Sequence, residues 1–217
     1  PDRAINCGIQ ENNMIGVAAG MSAAGMVPFA HSFGPFASRR CVDQIFISCA
    51  YAKLNVRIIG SDPGVTAAYN GGTHMPFEDM GTLMSIPQIT LLEPTDSAQL
   101  KWMIQELEKA YGVYYIRLLR KNAVGVFEEG SKFQMGKIAR LKEGTDVAII
   151  ANGLLTYEAI EAGEKLAEQG INAMIINMAT IKPLDEELVI AAAKKCGKVI
   201  TCEEHSIIGG LGEAVCA

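Results

Sequence analysis

The fold is decided by one stretch of the sequence, GIQENNMIGVAAGMSAAGMVPFAHSFGPFASRRCVDQI, residues 8–45. A short β-prone run over Arg3–Cys7 precedes it, and its small residues predict a helix over Asn12–Ala24. A strand is predicted next over Val27–Ser32, followed by a second helix over Pro35–Leu54. Strands that alternate with helices in this way favour a parallel sheet covered by helices, because each helix carries the chain back to the start of the next strand.

The same alternation continues up to an irregular segment, KNAVGVFEEGSKFQ, residues 121–134, which has no clear period and indicates a linker. A helix over Asp96–Ala110 is predicted by its apolar spacing, with Thr95 or Asp96 as the N-cap. The other elements predicted before the linker are the strands Val56–Gly60, Ile89–Glu93 and Val113–Leu118.

A second alternating unit follows the linker. Its predicted strands are Val147–Ala151, Ala173–Met178 and Val199–Glu203, and its predicted helices are Leu155–Gln169 and Asp185–Lys195. We therefore predict an α/β protein with two domains, each a mostly parallel sheet flanked by helices. The predicted domains are residues 1–122 and 136–217, the second incomplete at its end, with a linker over 123–135.

Composition limits the classes of protein to which the chain can belong. Apolar residues make up 49% of its 217 residues and charged residues only 20%, with a net charge of −5. This composition excludes disorder for most of the chain, and without a Lys/Arg cluster it argues against nucleic-acid and membrane-surface binding. The longest uncharged stretch, Met14–Ser38, is broken by glycines and prolines and does not predict a membrane span.

The six cysteines are scattered and include no C-x-x-C pair, so they predict neither a zinc site nor a disulfide framework. Free thiols in a reducing cytoplasm are the expectation that follows.

Glu11 comes directly after a glycine turn, where a helix begins. A carboxylate at a helix N-terminus is ordinarily explained by the helix dipole and the free N–H groups there. That explanation and a functional one both remain open for Glu11 from the local sequence alone.

Several motifs, in order along the chain, resemble the transketolase group of thiamine-diphosphate enzymes. The first is G-I-x-E at Gly8, Ile9 and Glu11, which is followed by A-A-G, F-x-x-F and R-x-x-D-Q-I within residues 18–45. Later matches are GGTHMPFEDMG over residues 71–81, EPTDSAQL over 93–100 and, more weakly, CEEHSIIGGLGEAV over 202–215. The resemblance implies a thiamine-diphosphate-binding fold that supplies the pyrimidine-binding domain, followed by a transketolase C-terminal-like domain.

The resemblance implies a cofactor pocket for thiamine diphosphate. Glu11 matches the family glutamate that activates the aminopyrimidine, so the resemblance implies a catalytic role for it. It also implies that Ile9, Phe33 and Phe36 bind the pyrimidine ring together with Glu11. In an apolar pocket the pKa of such a carboxyl is expected to be raised, so that it can share a proton with the ring nitrogen. His74 matches the family histidine of T-H-x-x-x-E-D and is the second catalytic residue, for substrate binding or proton transfer.

The sugar end departs from the family pattern. Transketolases usually carry a histidine at Asp62 and an aspartate at Asn70, and both positions help to bind the sugars. Arg120 falls where the family places a phosphate-binding arginine, while Arg117 is close enough in sequence to replace it. His31 is a weaker candidate for the border of the same pocket, and His205 is expected to be structural. Packing or subunit contacts are the expected roles of Arg39, Arg40 and Asp43.

The chain contains no G-D-G motif, the family signature of the domain that holds Mg²⁺ or Ca²⁺ and the diphosphate. No metal site is therefore predicted in this chain. The metal is expected on a partner, an N-terminal transketolase subunit if the enzyme is split or an N-terminal domain if the chain is a fragment. A homodimer through the pyrimidine-binding domain is also expected.

The resemblance implies a cytoplasmic transferase that moves a two-carbon ketol unit between sugar phosphates, as in pentose-phosphate metabolism. Three alternatives remain open: a 1-deoxyxylulose 5-phosphate synthase-like component, a 2-oxo-acid dehydrogenase beta-like component, and a non-catalytic assembly or regulatory subunit.

Overall fold

The computed structural model describes residues 3–217, which form two helix-flanked sheets. In the first part of the chain the strands and helices are α1 (Glu11–Ala23), β1 (Phe29–Phe33), α2 (Gly34–Ala37), β2 (Val56–Ser61), α3 (Asp79–Met84), β3 (Ile89–Leu92), α4 (Ser97–Lys109) and β4 (Val113–Leu118). In the second part they are β5 (Ala139–Lys142), β6 (Val147–Ala151), α5 (Leu155–Glu168), β7 (Ala173–Asn177), β8 (Thr180–Lys182), α6 (Glu186–Cys196), β9 (Val199–Cys202) and α7 (Leu211–Cys216).

The first sheet has the strand order β1-β2-β4-β3-β8, and its first four strands are parallel. The edge strand β8 comes from the second part of the chain and pairs antiparallel with β3, where Leu92 faces Thr180. The second sheet has the order β5-β7-β6-β9, with only β5 antiparallel. The predicted α/β class with two mostly parallel sheets is confirmed, but one strand of the second unit completes the sheet of the first.

The central strands are apolar on both faces because helices cover both. Every residue of β6 and β7 is buried, and in the first sheet Ile58, Leu91 and Tyr115 are fully buried. Near-continuous apolar strands of this kind are typical of parallel sheets between helix layers. Asp96 is the N-cap of α4, since its carboxylate accepts a hydrogen bond from the Gln99 amide at 2.9 Å.

Two predicted elements are wrong. Residues Arg3–Cys7 form no strand, since the run has no neighbour to pair with among the described residues. The predicted helix Pro35–Leu54 is broken into α2, a 3₁₀ turn over Arg39–Cys41 and a π-helix over Gln44–Tyr51. The first break lies at Ser38, whose hydroxyl donates to the Gly34 carbonyl at 2.6 Å and so competes with continued helix.

The segment predicted as a linker contains no helix or strand, and it packs against α4. Phe133 makes edge-to-face contacts with Trp102 and Phe127, with ring centroids 5.3 and 4.7 Å apart. The Asp96 carboxylate also accepts hydrogen bonds from the amides of residues 126 and 127 at 2.8 Å. The segment is therefore held on the first sheet's helix layer rather than spanning open solvent.

Within residues 3–217, no helix is both long enough and apolar enough to cross a membrane.

Candidate active site

The candidate site lies where the parallel strands β1, β2 and β4 end. Phe33 pairs with Ser61, and Ser61 pairs with Leu118, so the residues that follow these strands meet at one edge. Ligands of open parallel sheets bind at this carboxyl edge, because the loops there converge while helices cover the faces. Glu11, His74, Asp62 and Arg120 are all contributed by α1 or by the loops of this region.

Glu11 is the first residue of α1 and is only 7% exposed. Its Oε1 accepts a hydrogen bond from the Ser32 hydroxyl at 3.1 Å, and its Oε2 accepts one from Arg40 Nη1 at 2.7 Å. Ser32 is on β1, whereas Arg40 lies in the turn after α2. The carboxylate is therefore oriented by strand β1 and by the turn that follows α2.

The pKa of Glu11 lies below its ordinary value, which corrects the expectation of a raised pKa. Burial raises the pKa, but the hydrogen bonds from Arg40, from the Glu11 backbone and from Ser32, with the charge of Arg40, outweigh burial. The sequence identifies the carboxyl group but not its counter-ion, because Arg40 is expected there to serve packing or subunit contacts.

Three aromatic rings lie next to this ion pair. The His74 ring is 5.1 Å from the ring of Phe33 and 5.0 Å from that of Phe36, both edge-to-face. Phe33 and Phe36 contact each other at 6.2 Å, and the guanidinium of Arg40 lies 3.9 Å from the centroid of Phe36. The structure thus brings the two predicted aromatic residues and the predicted histidine together beside the Glu11–Arg40 pair.

His74 is held by its own loop. Its backbone amide donates to the Gly71 carbonyl at 3.0 Å, and Gly71 has a φ of +79°, which favours glycine at that turn. The Thr73 hydroxyl lies 2.9 Å from His74 Nδ1. No described residue hydrogen-bonds Nε2, so this nitrogen is the one free to meet a ligand.

Asp62, Asn70 and Arg120 form a second polar group at the same edge, which we call the Arg120 cluster. Arg120 Nη1 donates to Asn70 Oδ1 at 2.7 Å, and Arg120 Nε lies 4.0 Å from Asp62 Oδ1. The guanidinium is also 5.9 Å from the Phe33 ring centroid, which links this cluster to the aromatic group. The three predicted sugar-end residues are therefore close together, with Arg120 and Asn70 exposed and Asp62 buried.

The structure does not bring two predicted residues to this centre. Ile9 is 87% exposed in the turn before α1. His31 is exposed on β1, one residue before Ser32, so its side chain points to the opposite face of the sheet from the serine that contacts Glu11. His31 therefore occupies an ordinary surface position in this chain.

Arg117 does not replace Arg120, because it is buried in a network between the two parts of the chain. Its Nε donates to Asp79 Oδ2 at 3.0 Å, and its Nη1 lies 3.4 Å from both carboxylate oxygens of Glu93. Its Nη2 donates to the carbonyls of Pro76 at 3.2 Å and Glu204 at 2.8 Å. A phosphate role for Arg117 is wrong, since all its donor directions are used inside the protein.

The Arg117 network holds the His74 loop against the C-terminal part of the chain. Pro76 belongs to that loop, Glu204 follows β9, and His205 Nε2 accepts the Gly81 amide at 3.2 Å. Burial raises the pKa of Glu93 to about 7, with the neighbouring Asp79 charge adding to the rise and Arg117 opposing it. The expected structural role of His205 fits this contact. An arginine inside the apolar run VYYIRLL was the sequence feature that could have revealed the network.

These residues fit the aminopyrimidine part of thiamine diphosphate, on the chemistry of the donor set. The aminopyrimidine is a flat ring with a nitrogen that a carboxyl group can hydrogen-bond. Glu11 offers a buried carboxyl group, and Phe33 and Phe36 offer apolar ring surface. Among residues 3–217 no group of three His, Cys, Asp or Glu side chains could hold a metal ion.

Two family profiles match the chain: transketolase, pyrimidine binding domain, over residues 1–124, and transketolase, C-terminal domain, over residues 136–217. The chain is 52% identical over 214 residues to a 6-deoxy-6-sulfo-D-fructose transketolase subunit of Clostridium sp. (strain MSTE9), covering 99% of this chain and 66% of that protein. It is 35% identical over 216 residues to an apulose-4-phosphate transketolase subunit of Phocaeicola vulgatus, covering 99% of this chain and 69% of that protein.

A solved structure described as a split gene transketolase, inactive beta4 tetramer, superposes with a TM-score of 0.92. It is 40% identical in sequence, and the match covers 99% of this chain and 70% of that one. The chain spans about two thirds of the length of these relatives.

Proposed function

The chain belongs to the transketolase family, and on that premise we propose that it is the C-terminal component of a thiamine-diphosphate-dependent enzyme that transfers a two-carbon ketol unit between sugars. The observation that carries the proposal is the buried Glu11 carboxylate beside Phe33, Phe36 and His74 at the carboxyl edge of the sheet. The Clostridium and Phocaeicola relatives, which align with 99% of this chain, are named as transketolase subunits.

In this proposal Glu11 and the two phenylalanines hold the aminopyrimidine. Bound thiamine diphosphate supplies the electron sink that allows a carbon–carbon bond of a ketose to break. Glu11 holds a proton between its carboxylate and a nitrogen of the pyrimidine ring. A ring that displaces water from the carboxylate increases its desolvation, which raises the pKa against the effect of Arg40 and favours such sharing.

His74 is proposed to bind the substrate and to move its proton. Its Nδ1 is engaged by Thr73, so Nε2 is available to accept or donate a hydrogen bond at a substrate hydroxyl or carbonyl oxygen. The Arg120 cluster is proposed to bind the far end of the sugar, since a guanidinium recognises an anionic group in a forked geometry. The Clostridium relative is named for a sulfonated sugar and the Phocaeicola relative for a phosphorylated one, so sugars with an anionic terminal group are the proposed substrate class.

Two kinds of partner are proposed. One is an N-terminal transketolase subunit or domain that binds Mg²⁺ or Ca²⁺ and the diphosphate, since the chain itself has no G-D-G motif. The other is a second copy of this chain. Ile9, Phe46, Ile47 and Tyr51 are exposed by 87, 39, 49 and 76% and would be covered in such an assembly.

The test mixes this chain with an N-terminal transketolase subunit, thiamine diphosphate and Mg²⁺, and follows ketol transfer from a panel of sulfonated and phosphorylated ketoses. We expect Glu11→Gln to lower kcat by about 10²-fold or more, because the amide cannot exchange a proton with the ring. The matched control is Glu108→Gln, a glutamate exposed on α4, which should leave kcat unchanged.

Three outcomes would contradict the proposal. Pyruvate-dependent activity without ketol transfer would favour the 1-deoxyxylulose 5-phosphate synthase-like or 2-oxo-acid dehydrogenase-like alternative. A tight complex without activity toward any donor would favour a non-catalytic subunit. Wild-type turnover by a folded Glu11→Gln variant would remove the role assigned to Glu11.

A further inference from the structure

Asp62 carries two energetic costs at once. Its φ is +63°, in the left-handed region that residues other than glycine seldom occupy. Its side chain is only 2% exposed, and its Oδ1 has no hydrogen-bond partner among the described residues. Strain together with a buried carboxylate oxygen that has no hydrogen bond, at the end of a strand that borders a binding edge, points to a function rather than to stability.

The charge facing this oxygen is Arg120. The Nε of Arg120 lies 4.0 Å from Asp62 Oδ1, which is close for attraction but too long for a hydrogen bond. Arg120 is half exposed and is held on its other side by the neutral Asn70. The Arg120 cluster therefore contains one positive and one negative charge, so its net charge is zero.

The other titratable groups of this edge and of the neighbouring segments make contacts of their own. Lys121 follows Arg120, but its Nζ lies 5.4 Å from the centroid of the Tyr69 ring. Glu204 packs against Gly64, two residues after Asp62, and its Oε1 accepts the Val65 amide at 2.6 Å. His74 contacts the Phe33 and Phe36 rings. Among residues 3–217, the ion pair of Asp62 is therefore with Arg120 rather than with any of these groups.

We propose that Asp62 makes the Arg120 cluster selective for a sugar whose terminal group is a monoanion, such as a sulfonate, over a dianionic phosphate ester. The inference rests on the proposed ketol-transfer function and names the substrate class for it. A sulfonate has one negative charge at neutral pH, whereas a phosphate monoester has between about 1.5 and 2 because its second pKa is about 6. Both are tetrahedral and both can bind a guanidinium, so the second charge, repelled by Asp62, is what distinguishes them.

The experiment compares two ketoses that differ only at carbon 6, a sulfonate and a phosphate ester, in the assembled enzyme. The variants are Asp62→Asn and Asp62→His, because asparagine, aspartate and histidine are the non-glycine residues most often found at positive φ. Wild type is expected to prefer the sulfonate in kcat/KM. Asp62→Asn should shift the sulfonate-to-phosphate ratio toward phosphate by about tenfold, equivalent to about 1.4 kcal/mol, and Asp62→His should shift it further.

A pH series adds a readout that a structural role would not move. Between about pH 8 and pH 5.5 the phosphate ester becomes a monoanion while the sulfonate does not change. The wild-type preference for sulfonate should therefore shrink as the pH falls, whereas in Asp62→Asn, which has no charge to repel the second phosphate charge, it should not. Glu108→Gln is again the control that removes a negative charge far from the site.

The outcomes separate this inference from the proposed function. A wild-type preference for the phosphate ester, or a ratio unchanged in folded Asp62→Asn, overturns the selectivity of Asp62 while ketol transfer itself still stands. Absence of transfer from every ketose overturns both. A sulfonate preference that weakens or reverses in the two variants supports the inference.

Discussion

The Arg117 network gives the sharpest prediction about stability. Arg117 is 1% exposed and its guanidinium contacts two carboxylates, with Nε 3.0 Å from Asp79 Oδ2 and Nη1 3.4 Å from Glu93 Oε2. Arg117→Met removes the positive charge but keeps a long apolar side chain. Removing one partner of a buried ion pair costs about 3–5 kcal/mol, because the remaining charge is left unpaired.

The hydrogen bonds that Asp79 and Glu93 keep in Arg117→Met determine where the stability loss falls between about 3 and 5 kcal/mol. Asp79 keeps the Tyr115 hydroxyl at 2.8 Å, and Glu93 keeps the Asn152 amide at 2.7 Å. The Glu204 carbonyl, however, loses the Arg117 donor, and the Pro76 carbonyl keeps only the Gly64 amide at 3.0 Å, so the link through Arg117 between the two parts of the chain is lost. We expect a loss of about 4 kcal/mol in the free energy of unfolding, measured by urea denaturation followed by circular dichroism.

The pH dependence of that loss has a definite sign. Burial raises the pKa of Glu93 to about 7, and Arg117 opposes the rise, so Arg117→Met should raise this pKa further. A carboxyl with a raised native pKa makes the native state bind more protons than the unfolded state, so stability falls as the pH rises toward that pKa. Above about pH 7 only the variant continues to lose stability, by at most about 1.4 kcal/mol per pH unit. The difference between wild type and variant should therefore be larger at about pH 8.5 than at about pH 6.

The matched control is Arg140→Met. Arg140 pairs with Glu143 at 2.6 Å on the surface, and exposed pairs of this kind contribute about 0.5 kcal/mol. A loss below about 1 kcal/mol in Arg117→Met, or a difference that narrows at high pH, would refute the view that Arg117 neutralises the buried carboxylates.

Two further predictions concern the site and the assembly. Arg40→Met should raise the pKa of Glu11, measured by carboxyl ¹³C NMR, because burial then acts with only Ser32 and the backbone against it; Arg39→Met, which breaks a pair with Glu78 instead, should not. An unchanged Glu11 titration in Arg40→Met would contradict the pairing. The chain without its N-terminal partner should sediment as a dimer or larger species, because association removes its exposed apolar side chains from water. A clean monomer at micromolar concentration would argue against this surface as an interface.

Much of the fold was predictable because its determinants are local. The apolar spacing of α4 and its cap lie within a few residues of each other. The sequence predicted this helix and left Thr95 or Asp96 as its N-cap, and the structure has Asp96. The short strands β5 and β8 were missed, because three or four residues show no period of their own. β8 is defined by its pairing with β3, nearly 90 residues away in the chain.

The sequence by itself determined the α/β alternation, the family and the place of Glu11 at a helix start, because these depend on residue types at short spacing. Only the tertiary structure decided the partner of each charge. Arg40 approaches Glu11 across 29 positions, whereas Arg117 reaches the Glu204 carbonyl across 87. Two arginines three residues apart, Arg117 and Arg120, have opposite environments: one is fully buried and paired, and the other is exposed at the site. Charge partners and desolvation are properties of the packed chain, so pKa and binding role follow from distances that sequence spacing does not contain.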